Sequence, residues 1–135
     1  MSEQTSSGVM AGKRGLIMGV ANDRSIGWGI ASKLAEHGAE LAFTFQGEAL
    51  QKRVIPLAES VGSNLVLPCD VTDEASVDAV FDRLKSEWGE LDFVLHAIAY
   101  SDKEELKGGY VDTSRDNFQR TMDISVYSFT EITRK

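Results

Sequence analysis

The 135-residue sequence is poor in the side chains that build disulfides and metal centres, with one cysteine and two histidines. A single cysteine excludes an internal disulfide and any cysteine-based zinc site, and it fits a reducing, cytoplasmic setting. Cys69 reads as a small buried apolar side chain rather than a nucleophile. Two histidines beside one cysteine leave no metal constellation. His37 falls near a helix end as a surface group, and His96 falls in a strand as a packed residue. Positive charge is also scarce: 14 Lys and Arg stand against 21 Asp and Glu, a net charge of −7. With no basic stripe, nucleic acid and anionic membrane surfaces are poor partners. No uncharged run approaches the roughly 20 apolar residues of a membrane-spanning helix. No charged start followed by an apolar run marks a secretory signal. What remains, 42% hydrophobic and 26% charged residues, is the mix of a soluble globular protein of one domain.

Met1–Gly12 is small and polar and reads as a flexible leader. Beyond it, short apolar runs alternate with amphipathic stretches. Leu16–Val20 reads as a buried strand, and Ile26, Ile30, Leu34 and Ala35 have helical spacing, with Gly38 as a stop. Leu41–Phe45 is a second strand. Ala49–Val61 places Leu50, Val54, Leu57, Ala58 and Val61 on one helical face, with Pro56 expected to kink or divide it. Leu65–Leu67 is a third strand. Val77, Val80, Phe81, Leu84 and Trp88 form a helical stripe opened by Thr72, Asp73 and Glu74 and closed by Gly89. Phe93–Leu95 lies in a fourth strand. A polar stretch over Tyr100–Thr113 follows, and Phe118, Met122, Val126, Phe129 and Ile132 are again spaced as in a helix. The order β-α-β-α-β-α-β-loop-α implies an α/β fold, a doubly wound, Rossmann-like parallel sheet. The last helix is still periodic at Lys135, so the sheet is expected to be incomplete at its C-terminal side.

The first strand runs into GVANDRSIGWGIA, Gly19–Ala31. The spacing is not G-x-G-x-x-G, yet it meets the same physical needs. Gly19 permits a tight turn, Ser25 offers a hydroxyl, and the amides near Ser25 and Ile26 open a helix toward an anion. Gly27 or Gly29 allows close approach of that helix to sheet or ligand. Two glycines in one helical segment cost roughly 1 kcal/mol each relative to Ala, so a reason for them is expected, and nucleotide binding supplies it. Gln46 ends the second strand, where an acid would bind ribose hydroxyls and a base would welcome a 2′-phosphate. A neutral amide there favours NADH over NADPH. Arg24 reads equally as a cation for a 2′-phosphate or as a solvated loop charge. Asp70 is placed to accept from an adenine amino group with Val71 against the ring, or else to cap a helix. His96-Ala97-Ile98-Ala99 brings small residues to the end of the fourth strand, where backbone can lie close to a cofactor.

These segments together resemble the short-chain dehydrogenase/reductase superfamily. Within it they are similar to the bacterial NADH-dependent enoyl-[acyl-carrier-protein] reductases of type II fatty-acid synthesis. The resemblance is carried by GKRGLIMGVANDRSIGWGIA, GAELAFTFQ, CDVTDEAS, HAIAYSDKEELKGGYVDTSRDNF and DISVYSF, from Gly12 onward. The Ser25-Ile26 form of the turn, Gln46, and His96–Ala99 in place of Asn-Asn-Ala-Gly separate this branch from the wider superfamily. The superfamily's polar Asn in the last helix is absent, with Ile124 and Ser125 in that region, and Ala99 stands where relatives often carry Gly.

By position, the resemblance implies Gly19, Ser25 and Ile26 at the pyrophosphate and Gln46 near the adenosine ribose. It implies Asp70 and Val71 at the adenine, Ile98 near the nicotinamide ribose and Ser101 facing the acyl substrate. Residues 13–135 would form the N-terminal part of one dinucleotide-binding reductase domain. The implied reaction is hydride transfer from NADH to the β-carbon of a trans-2-enoyl thioester on acyl carrier protein, with the cofactor supplying the difficult chemistry. The family's Tyr and Lys belong to a later segment, so no catalytic residue is expected here and the isolated 135 residues are expected to be inactive. Tyr100 and Tyr110 flank the substrate-side loop, and Tyr127 is expected to pack. The family implies a homotetramer formed by the helices Val77–Trp88 and Phe118–Ile132, although no basic patch for an acidic carrier protein is evident. The alternatives are a 3-oxoacyl reductase of the same superfamily or, were 135 residues the whole polypeptide, a non-catalytic nucleotide-binding module.

Overall fold

A computed structural model describes residues 8–135. Residues 1–7 of the expected leader lie outside the described residues. Val9–Gly12 form turns, in which the Met10 amide donates to the His37 carbonyl at 2.9 Å.

The elements follow in the order β1 (Arg14–Met18), α1 (Ile26–Glu36), β2 (Glu40–Phe45), α2 (Glu48–Ser60), β3 (Val66–Pro68), α3 (Glu74–Trp88) and β4 (Phe93–His96). Two short 3₁₀ turns, Lys103–Leu106 and Tyr110–Asp112, lead into α4 (Arg115–Met122), a π-helical turn (Asp123–Tyr127) and α5 (Ser128–Arg134). The four strands are parallel in the order β3-β2-β1-β4. Leu16 of β1 lies opposite Ala42 of β2 and Val94 of β4, and Phe43 lies opposite Val66.

Alternation of side chains along each strand divides the apolar residues between two faces. Leu16, Met18 and Ala42 pack with Val77, Val80 and Leu84 of α3 and with Ile132 of α5. Ile17, Leu41, Phe43 and Phe45 pack on the other face with Ala31 of α1 and with Val54 and Ala58 of α2. A parallel sheet needs this double cover, because right-handed crossovers lay helices on both sides. The doubly wound expectation is met.

Several elements depart from the sequence reading. The first strand begins at Arg14 and ends at Met18, not Val20, because Gly19 turns out of the extended region at φ +102°. Pro56 neither ends nor divides α2. It sits on the exposed side, where loss of one backbone bond faces solvent, while Val54 and Ala58 anchor the inner side. Helix α3 opens as expected, with the Asp73 carboxylate accepting from the Ala75 amide at 3.2 Å, and the cap Gly89 closes it. The periodic stripe after Ser114 is helical, but of its five apolar residues only Ile132 is buried. Phe118, Met122, Val126 and Phe129 are 42–55% exposed, and Tyr127, expected to pack, is 48% exposed.

Phe43, fully buried in the central strand pair, tests the two-sided packing. Phe43→Ala should lower stability by about 3–5 kcal/mol, read from the urea midpoint of the intact protein. A loss below about 1 kcal/mol would contradict the packing described.

Candidate functional site

The carboxyl ends of all four strands open into one cleft of about 290 Å³. In a β3-β2-β1-β4 sheet, the crossover reverses between β1 and β4, so a crevice forms where the two exits part. Gly19, Val20 and Ala21 come from the β1 exit, Gln46 from the β2 exit, Asp70 and Val71 from the β3 exit, and Ala97–Tyr100 from the β4 exit.

Gly19 is the tightest point. A Cβ there would lie 2.0 Å from the Ala97 carbonyl oxygen, and its φ of +102° is strained for any other residue. The Ala97 amide in turn donates to the Met18 carbonyl at 2.9 Å, so the two strand exits are in backbone contact. Gly27 also meets Ala97, at 3.3 Å from a Cβ built on it.

Ser25 is the residue before α1. Its hydroxyl oxygen accepts from the Ala21 and Asn22 amides at 3.0 and 3.1 Å and thereby fixes the turn. Both bonds use lone pairs, so the hydroxyl proton remains available. The side chain does not cap α1, and no acidic residue stands in the first turn. The positive end of the helix, with its first-turn amides, is thus left for an external anion. Ile26 is 81% exposed, and neither it nor Ser25 lines the cleft itself; both stand at the helix start beside it. Arg24 lies outside the cleft lining, with its amide on the Asn22 carboxamide oxygen at 2.8 Å.

Across the cleft, the Gln46 amide nitrogen donates to Asp70 Oδ2 at 3.2 Å, and Asp70 Oδ1 accepts from the Thr72 hydroxyl at 2.7 Å and the Thr72 amide at 2.9 Å. The Thr72 hydroxyl, ahead of the other contacts, holds the Asp70 carboxyl below its ordinary range. Asp70 is therefore charged and acceptor-only at neutral pH. Helix capping falls to Asp73 instead.

Five of the seven residues assigned to a cofactor from sequence line one cleft: Gly19, Gln46, Asp70, Val71 and Ile98. Ser101 does not line it. Its hydroxyl sits against Asn117 Nδ2 at 3.1 Å and the Thr121 hydroxyl at 3.3 Å. Arg120 and Ile124 do line it and escaped the sequence reading. The Arg120 guanidinium lies 4.8 Å from the Tyr100 ring centre, a cation–π distance. Only a helix predicted through residue 120 together with the strand order could have brought them there.

His96 points away from the cleft. Its Nε2 lies 2.8 Å from Ser128 Oγ, whose own proton goes to the Ile124 carbonyl at 2.6 Å, and Phe129 meets the ring edge-on. Burial pushes the imidazole below its ordinary pKa, which keeps it neutral. Among the described residues no cluster of three or more His, Cys, Asp or Glu could hold a metal, and no helix is long and apolar enough to cross a membrane.

The parallel sheet, its strand order and the glycine exit against Ala97 define a Rossmann-type α/β domain. A family model described as enoyl-(acyl carrier protein) reductase matches residues 19–135. The chain is 67% identical over 129 residues to an NADH enoyl-[acyl-carrier-protein] reductase of Rhizobium meliloti, covering 96% of this chain and 48% of that relative. The crystal structure of FabI from Candidatus Liberibacter asiaticus superposes with a TM-score of 0.92 at 57% identity, over 94% of this chain and 49% of that one. The enoyl-(acyl-carrier-protein) reductase of Anaplasma phagocytophilum, solved in complex with NAD, superposes with a TM-score of 0.89 at 58% identity, over 93% and 48%. The chain belongs to the enoyl-(acyl carrier protein) reductase family, and it spans about half the length of the relatives it matches.

Cys69 lines the cleft but is buried, and burial raises its thiol from 9.0 to about 11. That rise cuts the thiolate fraction near neutral pH by about a hundredfold. Cys69 in the folded protein should therefore react with a thiol reagent at pH 8 at least about a hundred times more slowly than in urea. Equal rates would contradict this environment.

Proposed function

We propose that residues 13–135 form the N-terminal, cofactor-binding part of an NADH-dependent enoyl-[acyl-carrier-protein] reductase. The observation that carries this reading is the single cleft that gathers Gly19, Gln46, Asp70, Val71 and Ile98 beside an uncapped helix start. When bound, NADH supplies the hydride that reduces the β-carbon of a trans-2-enoyl thioester. The chain's own residues bind and orient. The Ser25 hydroxyl and the first amides of α1 at Ile26 take the diphosphate, and Gly19, whose Cβ position is taken by the Ala97 carbonyl, gives the tight turn beside it. Asp70 accepts from the adenine amino group with Val71 against the ring. Gln46 faces the adenosine ribose, and Ile98 faces the nicotinamide ribose. Ser101 is held by Asn117 and Thr121, which suits it to shaping the substrate side of the loop.

The cofactor choice follows from charge. Neutral Gln46 bonds to an anionic neighbour, Asp70, and a 2′-phosphate there would be repelled. Arg24 stands outside the cleft, and Arg120 is engaged over Tyr100. The substrate is an enoyl thioester on acyl carrier protein, and the setting is cytoplasmic. The assembly is a homotetramer, a reading supported by the exposed apolar residues Phe118, Met122, Val126 and Phe129 on one helical stretch.

Fluorescence titration of the intact protein tests the reading. NADH should bind more tightly than NADPH and be oxidised when a trans-2-enoyl thioester is added. Asp70→Asn should weaken NADH about tenfold to a hundredfold, the range for a hydrogen bond to a charged group. A preference for NADPH, or undiminished binding by Asp70→Asn, would overturn these assignments.

A further inference from the structure

Residues 98–101 follow β4 and belong to no strand or helix, and Ile98, Ala99 and Tyr100 among them form a wall of the cleft. Among the described residues, their backbone makes no hydrogen bond to the backbone of another element. What holds them is a row of polar side chains, one turn apart, along the last helical stretch. Ser125 Oγ accepts from the Tyr100 amide at 3.0 Å and lies 3.3 Å from the Tyr100 carbonyl, within reach to donate. Thr121 lies 3.3 Å from the Ser101 hydroxyl. Asn117, itself buried, accepts from the Asp102 amide at 2.9 Å and donates to Ser101 at 3.1 Å.

The same segment is pressed from its other side. Ala97 lies so close to Gly19 that a Cβ could not enter between them. The wall is therefore clamped between the glycine turn and the last helix. Ser125 stands in the π-helical turn Asp123–Tyr127, and its neighbour Ile124 lines the cleft. A π turn is a costly local geometry that recurs where a helix serves a site. Here it lies where the helix meets the wall.

We infer that Ser125, supported by Thr121 and Asn117, is a positioning residue that sets the distance of the 98–100 wall from the bound cofactor. It touches neither cofactor nor substrate and acts through the Tyr100 backbone. The inference rests on the proposed reading of the cleft as an NADH site. Loss of the hydroxyl frees Tyr100 and lets the wall shift, which weakens cofactor binding without altering the reacting groups.

The test uses the intact protein, with NADH affinity from fluorescence titration, KM for NADH and kcat at saturating enoyl thioester, and thermal unfolding as the folding control. Ser125→Ala should weaken NADH and raise its KM about fivefold, as for one neutral hydrogen bond, with kcat little changed. Ser125→Thr, which keeps the hydroxyl, should bind near the wild-type value. Thr121→Val, which leaves Ser125 in place, should weaken NADH in the same direction but less, and it keeps the test open if Ser125→Ala fails to fold. Wild-type affinity in a folded Ser125→Ala overturns the inference. So does a fall in kcat at unchanged KM, or a Ser125→Thr variant as weak as Ser125→Ala. A wild-type protein that fails to bind NADH overturns the cofactor reading itself, a result distinct from these.

Discussion

The structure depends on the contact between two strand exits. At Gly19 the chain leaves β1 with φ of +102°, and the Ala97 carbonyl leaving β4 lies where a Cβ would stand. No side chain can occupy that spot without moving one exit from the other. The Ala97 amide, bonded to Met18, fixes the separation from the opposite direction. The cleft, the start of α1 and the wall after β4 all take their positions from this backbone-to-backbone approach.

The electrostatics of the cleft are divided along its length. The start of α1 presents amides with no capping side chain and no acid in its first turn, which suits a diphosphate. The far side presents a carboxylate kept ionised by Thr72 and bonded to Gln46. A dinucleotide with anionic middle and amino-bearing base matches both ends. Acidity of the chain as a whole, at −7, does not oppose this, because the positive end is made of backbone dipoles rather than side chains.

Much of the fold was legible in the sequence, because each strand carries a continuous apolar run and each helix a 3.6-residue stripe. The ends were less so. β1 stops at Met18 for a conformational reason that resides in Gly19, and Pro56 is tolerated because it happens to face solvent. The cleft-lining residues were legible where a strand exit names them, as at Gly19, Gln46 and Asp70. Ser25 was read as a phosphate donor, and its oxygen also ties the turn together. Arg120 was missed because a helical surface residue carries no local sign that tertiary packing brings it to the cleft. The apolar stripe from Phe118 to Phe129 was read correctly as periodic, but periodicity says nothing of what covers it.

Hydrogen–deuterium exchange of the intact protein, with and without NADH, tests most directly whether the β1 exit and helix start receive the dinucleotide. Peptides spanning Gly19–Gly29 and Ala97–Ser101 are predicted to gain protection together. Protection confined to other segments, or none at Gly19–Gly29 under saturating NADH, would contradict the account.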